Sequence, residues 1–192
     1  YKTLDDVFEQ VEFFVDAVSD YKSDFVLFPE YFNAPLMAKF NHLGEAQSIR
    51  GLAQYTEEIR ERFVNLAISY NINIITGSMP LLKEDGALYN VGYLIRRDGS
   101  YEMYEKVHVT PDEQKSWGLS GGKMVKTFDT DCARIGVLIC YDVEFPELSR
   151  IMADQGMQIL FVPFLTDTQN GYSRVRVCAQ ARAIENECFV VI

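Results

Sequence analysis

The chain has 192 residues, of which 48% are apolar and 13% aromatic, so it can bury one sizeable core and is too short for two comfortable domains. Acidic residues outnumber basic ones, 28 to 18, for a net charge of −10, a balance that excludes the basic faces selected by nucleic acid and anionic membranes. The longest apolar runs, Ile135–Cys140 and Ile159–Val162, are of strand length and far from the roughly 20 residues of a membrane helix.

Thr3 reads as an N-cap, with Asp5 and Asp6 in the first turn and Val7, Val11, Phe14 and Val18 recurring at helical spacing. The apolar run 24–28 predicts a short strand ending at Pro29-Glu30, followed by an irregular polar stretch to about Gln54. Thr56, Glu57 and Glu58 open a second helix with Ile59, Phe63, Leu66 and Tyr70 on one face. A strand over 72–79 is closed by Pro80, and residues 87–97 and 100–105 form a hairpin turned at Asp98-Gly99. A loop over 106–123 precedes strands at 124–128 and 133–139. Past Cys140, Pro146 and Gly156 bracket a helix, 158–164 is a buried strand, and 172–187 is a last helix. The class is therefore α/β with mixed sheets. The chain starts at Tyr1 and stops inside the apolar run 188–192, which reads as a buried strand, so a single domain over 1–192, truncated at both termini, is expected.

Chemistry in open α/β sheets collects at the carboxyl ends of strands, and Glu30, Lys106 and Cys140 each close a predicted strand. Cys140, on a strand-to-helix elbow, lies near helix N–H groups that favour thiolate and can donate to an oxyanion. Such a cysteine reads equally well as a small buried hydrophobe. Lys106 and Glu30, each in isolation, fit a solvated strand end or a turn, and Glu113 fits a solvated loop. Together, a carboxylate, an amine and a thiol supply base, oxyanion stabiliser and nucleophile for acyl transfer. Cys132, Cys140, Cys178 and Cys188 contain no C-x-x-C pair and His42 and His108 are the only histidines, an inventory unsuited to zinc but suited to free thiols in a reducing cytoplasm.

Phe28-Pro29-Glu30, Glu105-Lys106-Val107-His108 running to Pro111-Asp112-Glu113, and the run from Cys140 to Glu147 resemble, in order, the three catalytic blocks of the nitrilase superfamily of carbon–nitrogen hydrolases. Ala181–Asn186 resembles a later block, so the likeness covers nearly the whole chain. It implies a four-layer α-β-β-α sandwich, incomplete here at both ends, and a Glu30–Lys106–Cys140 triad seconded by Glu113. Tyr141 and Glu144 are then expected to support or touch the substrate. It also implies no metal and no organic cofactor, a homodimer or higher homo-oligomer built on the helices at 144–155 and 172–187, and a possible fusion to an additional domain. Many members of that family carry arginine where this sequence has Glu144, and the stretch 165–172 lacks the His-Trp pair of several amidase branches. The expected activity is hydrolysis of a small non-peptide amide through a Cys140 thioester, with N-carbamoyl compounds and nitriles as alternative substrates of the same triad. Two rivals stand beside it. One is a Cys140–His108 hydrolase, disfavoured because no third group to orient His108 is evident; the other is a non-catalytic binding module on the same scaffold.

Overall fold

The computed structural model describes residues 3–192. Helix α1 (Leu4–Asp20) is opened by a capping box in which the Thr3 hydroxyl accepts from the Asp6 N–H at 3.1 Å and the Asp6 carboxylate accepts from the Thr3 N–H at 2.9 Å. It leads into strand β1 (Phe25–Leu27). The expected irregular stretch is instead a 3-10 segment (Ala34–Phe40) and helix α2 (Glu45–Ala53), followed by α3 (Thr56–Ser69). Helix α2 is only nine residues long and buries just Ser48, Ile49 and Leu52, too short a run between polar residues to stand out as a helix in the sequence.

Strand β2 (Asn73–Ile75) is shorter than expected, and Pro80 does not end it. Pro80 lies inside a separate strand, β3 (Met79–Leu82), opposite Asn90 of β4 (Leu88–Ile95), in an outer strand where a missing N–H is tolerated. The hairpin of β4 and β5 (Tyr101–Glu105) forms as expected, paired from Val91 with Glu105 to Ile95 with Tyr101. The predicted loop that follows contains a wide π turn (Glu113–Trp117) and a two-residue strand, β6 (Leu119–Ser120). Strands β7 (Phe128–Asp129) and β8 (Arg134–Val137) precede a 3-10 turn (Cys140–Glu144) and helix α4 (Pro146–Asp154), with Pro146 at its start. Strand β9 (Ile159–Phe161), helix α5 (Gln169–Asn186) and strand β10 (Phe189–Val191) complete the chain.

Two mixed sheets result. The first runs β1-β2-β4-β3, with β5 and β6 also paired to β4; the second runs β10-β9-β8-β7. Helices α1 and α3 cover the outer face of the first sheet, where the rings of Phe8, Phe28 and Phe63 meet at 5.1 to 5.3 Å. The inner faces pack on each other through Phe25 against Phe161 and Tyr104 against Phe128. Leu148, Met152, Val175 and Ala179 of α4 and α5 close the outer face of the second sheet. The order helix, sheet, sheet, helix is the expected four-layer arrangement. Phe63 is wholly buried at its centre, and truncating it to alanine would cost about 3–5 kcal/mol. Strand β10 pairs in parallel with β9 at one edge of the second sheet, and Phe189 is 78% exposed.

Candidate active site

Three chain segments converge between the sheets. Beyond β1, Pro29 turns the chain and its carbonyl accepts from the Ser78 N–H at 3.3 Å. Gly77 (φ +70°) makes this approach possible, since a Cβ there would collide with the Pro29 carbonyl. The turn leaves Glu30 only 3% exposed. Lys106, one residue past β5, is tied by its N–H to the Asn90 carbonyl at 2.9 Å and is likewise buried. Cys140 follows β8 with φ +46°, a left-handed conformation that costs a non-glycine residue about 1–3 kcal/mol and persists only where its surroundings enforce it. Its N–H donates to the Pro163 carbonyl at 2.9 Å, locking the turn to the segment after β9.

The Lys106 ammonium donates to Glu30 Oε1 and to Glu113 Oε1, each at 2.8 Å. Glu30 Oε1 also accepts from Asn90 Nδ2 at 3.0 Å, and Oε2 from the Leu165 N–H at 3.2 Å. Glu113 is held by the Tyr31 hydroxyl at 3.1 Å and the Thr110 N–H at 2.7 Å. Two carboxylates against one ammonium leave the cluster with an excess of negative charge. Burial raises the Glu30 pKa; Lys106 opposes the rise and Glu113 adds to it. Burial alone would discharge Lys106, but the two carboxylates outweigh it and hold its pKa above the ordinary lysine value.

The Cys140 sulfur lies 3.8 Å from the Leu165 carbonyl and within hydrogen-bonding reach of Glu30. Burial, reinforced by the Glu30 charge, pushes its pKa up to about 12, with Lys106 pulling the other way. This corrects the expectation of a thiolate favoured by helix N–H groups. The element after Cys140 is a five-residue 3-10 turn rather than a helix end, and the neighbouring charge nearest in effect is negative. The thiol rests protonated, with a carboxylate beside it.

Glu30, Lys106, Glu113 and Cys140 line one cleft of about 360 Å³, together with Tyr31, Glu45, Thr110, Asp112, Ser116, Trp117 and Leu165. Tyr141 and Glu144 are not among its walls. The Tyr141 ring packs edge-on against Phe145 at 5.0 Å, and Glu144 pairs with Arg174 at 3.0 Å. Tyr31, Asn90, Asp142 and the residues of α2 were not among the expected site residues. Asn90 carried a signal, a lone amide inside an apolar strand; Asp142 carried another, a carboxylate just past the apolar run 135–140. Asp142 is 1% exposed and accepts from the Val107 N–H at 3.0 Å and the His108 N–H at 2.7 Å, strapping the Lys106 segment to the Cys140 turn. Burial raises its pKa, against the pull of those N–H groups.

Asp142 also supplies the orienting group that His108 lacked in the sequence, at 3.1 Å from Nδ1. The imidazole is nevertheless stacked on Phe145 at 3.7 Å and does not line the cleft with Cys140. Among the described residues no three His, Cys, Asp or Glu side chains are grouped to hold a metal ion, and no helix is long and apolar enough to cross a membrane.

The family model described as carbon-nitrogen hydrolase matches residues 1–192. The chain is 49% identical over 183 residues to a probable hydrolase, YhcX, of Bacillus subtilis (strain 168), covering 95% of this chain and 36% of that protein. It is 33% identical over 178 residues to the omega-amidase NIT2 of Homo sapiens, covering 86% of this chain and 60% of that protein. Among solved structures, Saccharomyces cerevisiae Nit3, a member of branch 10 of the nitrilase superfamily, superposes with a TM-score of 0.81 at 26% identity, covering 95% of this chain and 66% of the other. The chain thus spans between about a third and two thirds of the length of these relatives. With the order of its sheets, the residues it gathers in one cleft and a family match along its whole length, the chain belongs to the carbon–nitrogen hydrolase family of the nitrilase superfamily.

Proposed function

We propose that the protein hydrolyses a non-peptide carbon–nitrogen bond of a small amide, through a thioester on Cys140, releasing ammonia or an amine. The observation that carries this reading is the meeting of a protonated thiol, a carboxylate of raised pKa and a buried ammonium on the wall of one cleft.

Glu30 takes the Sγ proton as sulfur attacks the amide carbonyl, so charge leaves the carboxylate as it develops on the carbonyl oxygen. An ammonium has three donors, and Lys106 commits two of them to Glu30 and Glu113; the third serves the oxyanion, with the Tyr141 N–H as its partner. Glu30 then passes its proton to the leaving nitrogen, the C–N bond breaks, and the acyl group remains on sulfur. Water gives a proton to Glu30 and attacks the thioester. The acid leaves, and Glu30 returns the proton to the thiol. Glu113 fixes the Lys106 ammonium and, through Tyr31, the cleft wall. Tyr141 and Glu144 act through this turn rather than as side chains against substrate.

Similarity to an omega-amidase favours an amide over a nitrile or N-carbamoyl compound. Exposed Ile151 on α4 and Val177 and Ile184 on α5 support self-association through these helices, as the family resemblance implies. The test is ammonia release over small amides, ureides and nitriles. Turnover of at least one amide is expected, with a fall of about a thousandfold or more in Cys140→Ser and an unchanged circular dichroism spectrum. Near-normal turnover in Cys140→Ser would end the proposal.

A further inference from the structure

The electrostatics of the cleft select among amides, an inference that rests on the hydrolytic reading above. Of the charged side chains lining the cleft, four are carboxylates (Glu30, Glu45, Asp112 and Glu113) and one is a cation, Lys106. Lys106 is already engaged by Glu30 and Glu113. Glu45, in the first turn of α2, and Asp112, just before the π turn, are exposed at the mouth. Neither makes a hydrogen bond or ion pair among the described residues, so their charges have no internal counter-ion.

No nearby cation forms an ion pair with either carboxylate among the described residues. Arg50 donates to the Ala46 and Trp117 carbonyls and does not line the cleft; Lys115 is exposed on the π turn and does not line it either. The wall between the buried cluster and the mouth is aromatic, with Tyr31 and Trp117 edge-to-face at 5.4 Å. Ring faces beside unpaired carboxylates attract a cation and repel an anion. An acid at a helix start is also favoured by the backbone dipole, but that preference does not require the side chain to face the cleft.

We infer that the protein's substrate is an amide whose far end carries a positive charge, an ammonium or guanidinium, seated between Glu45 and Asp112. Amides with a far-end carboxylate are rejected by the same pair. This separates the site from an ω-carboxylate specificity, which would need an unpaired cation at the mouth.

The experiment compares the ω-amino, unsubstituted and ω-carboxy forms of one straight-chain amide, by kcat/KM for ammonia release with the purified protein. The ω-amino form is expected to lead and the ω-carboxy form to trail, with a spread of about tenfold or more that narrows in high salt. In Glu45→Gln combined with Asp112→Asn, the ω-amino to unsubstituted ratio is expected to fall about fivefold. An unchanged ratio, or a wild-type preference for the ω-carboxy form, overturns the inference while leaving amide hydrolysis standing. If no form releases ammonia, the hydrolytic reading fails, and calorimetric binding of the same three amides decides the charge preference by itself: tighter ω-amino binding supports it, equal or tighter ω-carboxy binding overturns it.

Discussion

Glu30, Lys106 and Glu113 come from the first sheet and its following loop as a closed ionic cluster, whereas Cys140 comes from the second sheet on a left-handed turn with its sulfur against the Leu165 carbonyl. On the first side the cost is desolvation of three charges, offset by short hydrogen bonds among them and from Asn90, Tyr31 and Thr110. On the second side the cost is backbone strain and a thiol kept protonated by burial. On the proposed mechanism, the charge sits on the members that do not change covalently, and the sulfur that would react is held neutral by burial. Each side fails differently when altered, and that difference can be measured.

Breaking the ionic side should have the largest effect on the fold. Lys106→Ala strands two buried carboxylates, and urea unfolding should show a loss of about 3–5 kcal/mol near neutral pH together with lost turnover. The deficit should shrink in acid, as Glu30, whose pKa burial already raises, takes up a proton. A deficit that is small and independent of pH would mean that the cluster is not desolvated in solution. The contrast with Cys140→Ser, which should leave stability nearly unchanged, is the comparison in its sharpest form.

The strap between the two sides comes next. Asp142→Asn removes the charge that gathers the Val107 and His108 N–H groups, loosening Lys106 relative to the Cys140 turn. A fall in kcat of about tenfold to a hundredfold is expected, with KM moving much less, because geometry rather than binding is altered. Equal changes in both constants would place Asp142 in substrate binding instead.

The pH profile is the mildest probe. The proposed mechanism needs Glu30 ionised and Cys140 protonated. A raised Glu30 pKa places the acid limb of kcat/KM above the ordinary carboxylate range, with activity gained as pH rises through it. The thiol titrates only near about 12 and Lys106 higher still, so no alkaline fall is expected up to about pH 10. A fall with an ordinary cysteine pKa would indicate a solvated thiol.

Much of this was legible in local chemistry. Thr3 with Asp6, Asp98-Gly99 and Pro146 each carry their structural meaning within a few residues, and the elements they bound formed as expected. Glu30 and Cys140 could be placed at strand ends because short apolar runs stop at them, and Lys106 because it follows the hairpin turned at Asp98-Gly99. What was hidden depended on partners distant in sequence. Pro80 is tolerated only because β3 lies outside β4, Asp142 matters because of backbone groups 34 and 35 residues away, and Glu45 reaches the cleft on a helix of only nine residues. The protonation of Cys140 was misjudged for the same reason: a turn identified from sequence does not disclose the negative charge packed beside it.

The central claim, a thioester on Cys140 formed by a neutral thiol beside Glu30, is tested most directly by acid-quenching the protein during turnover of a slowly hydrolysed amide and mapping peptide masses. The account predicts the acyl increment on the peptide containing Cys140, absent from those containing Cys132, Cys178 and Cys188, and absent in Cys140→Ser. An acyl group on another residue, or sustained turnover by Cys140→Ser with no increment anywhere, would contradict it.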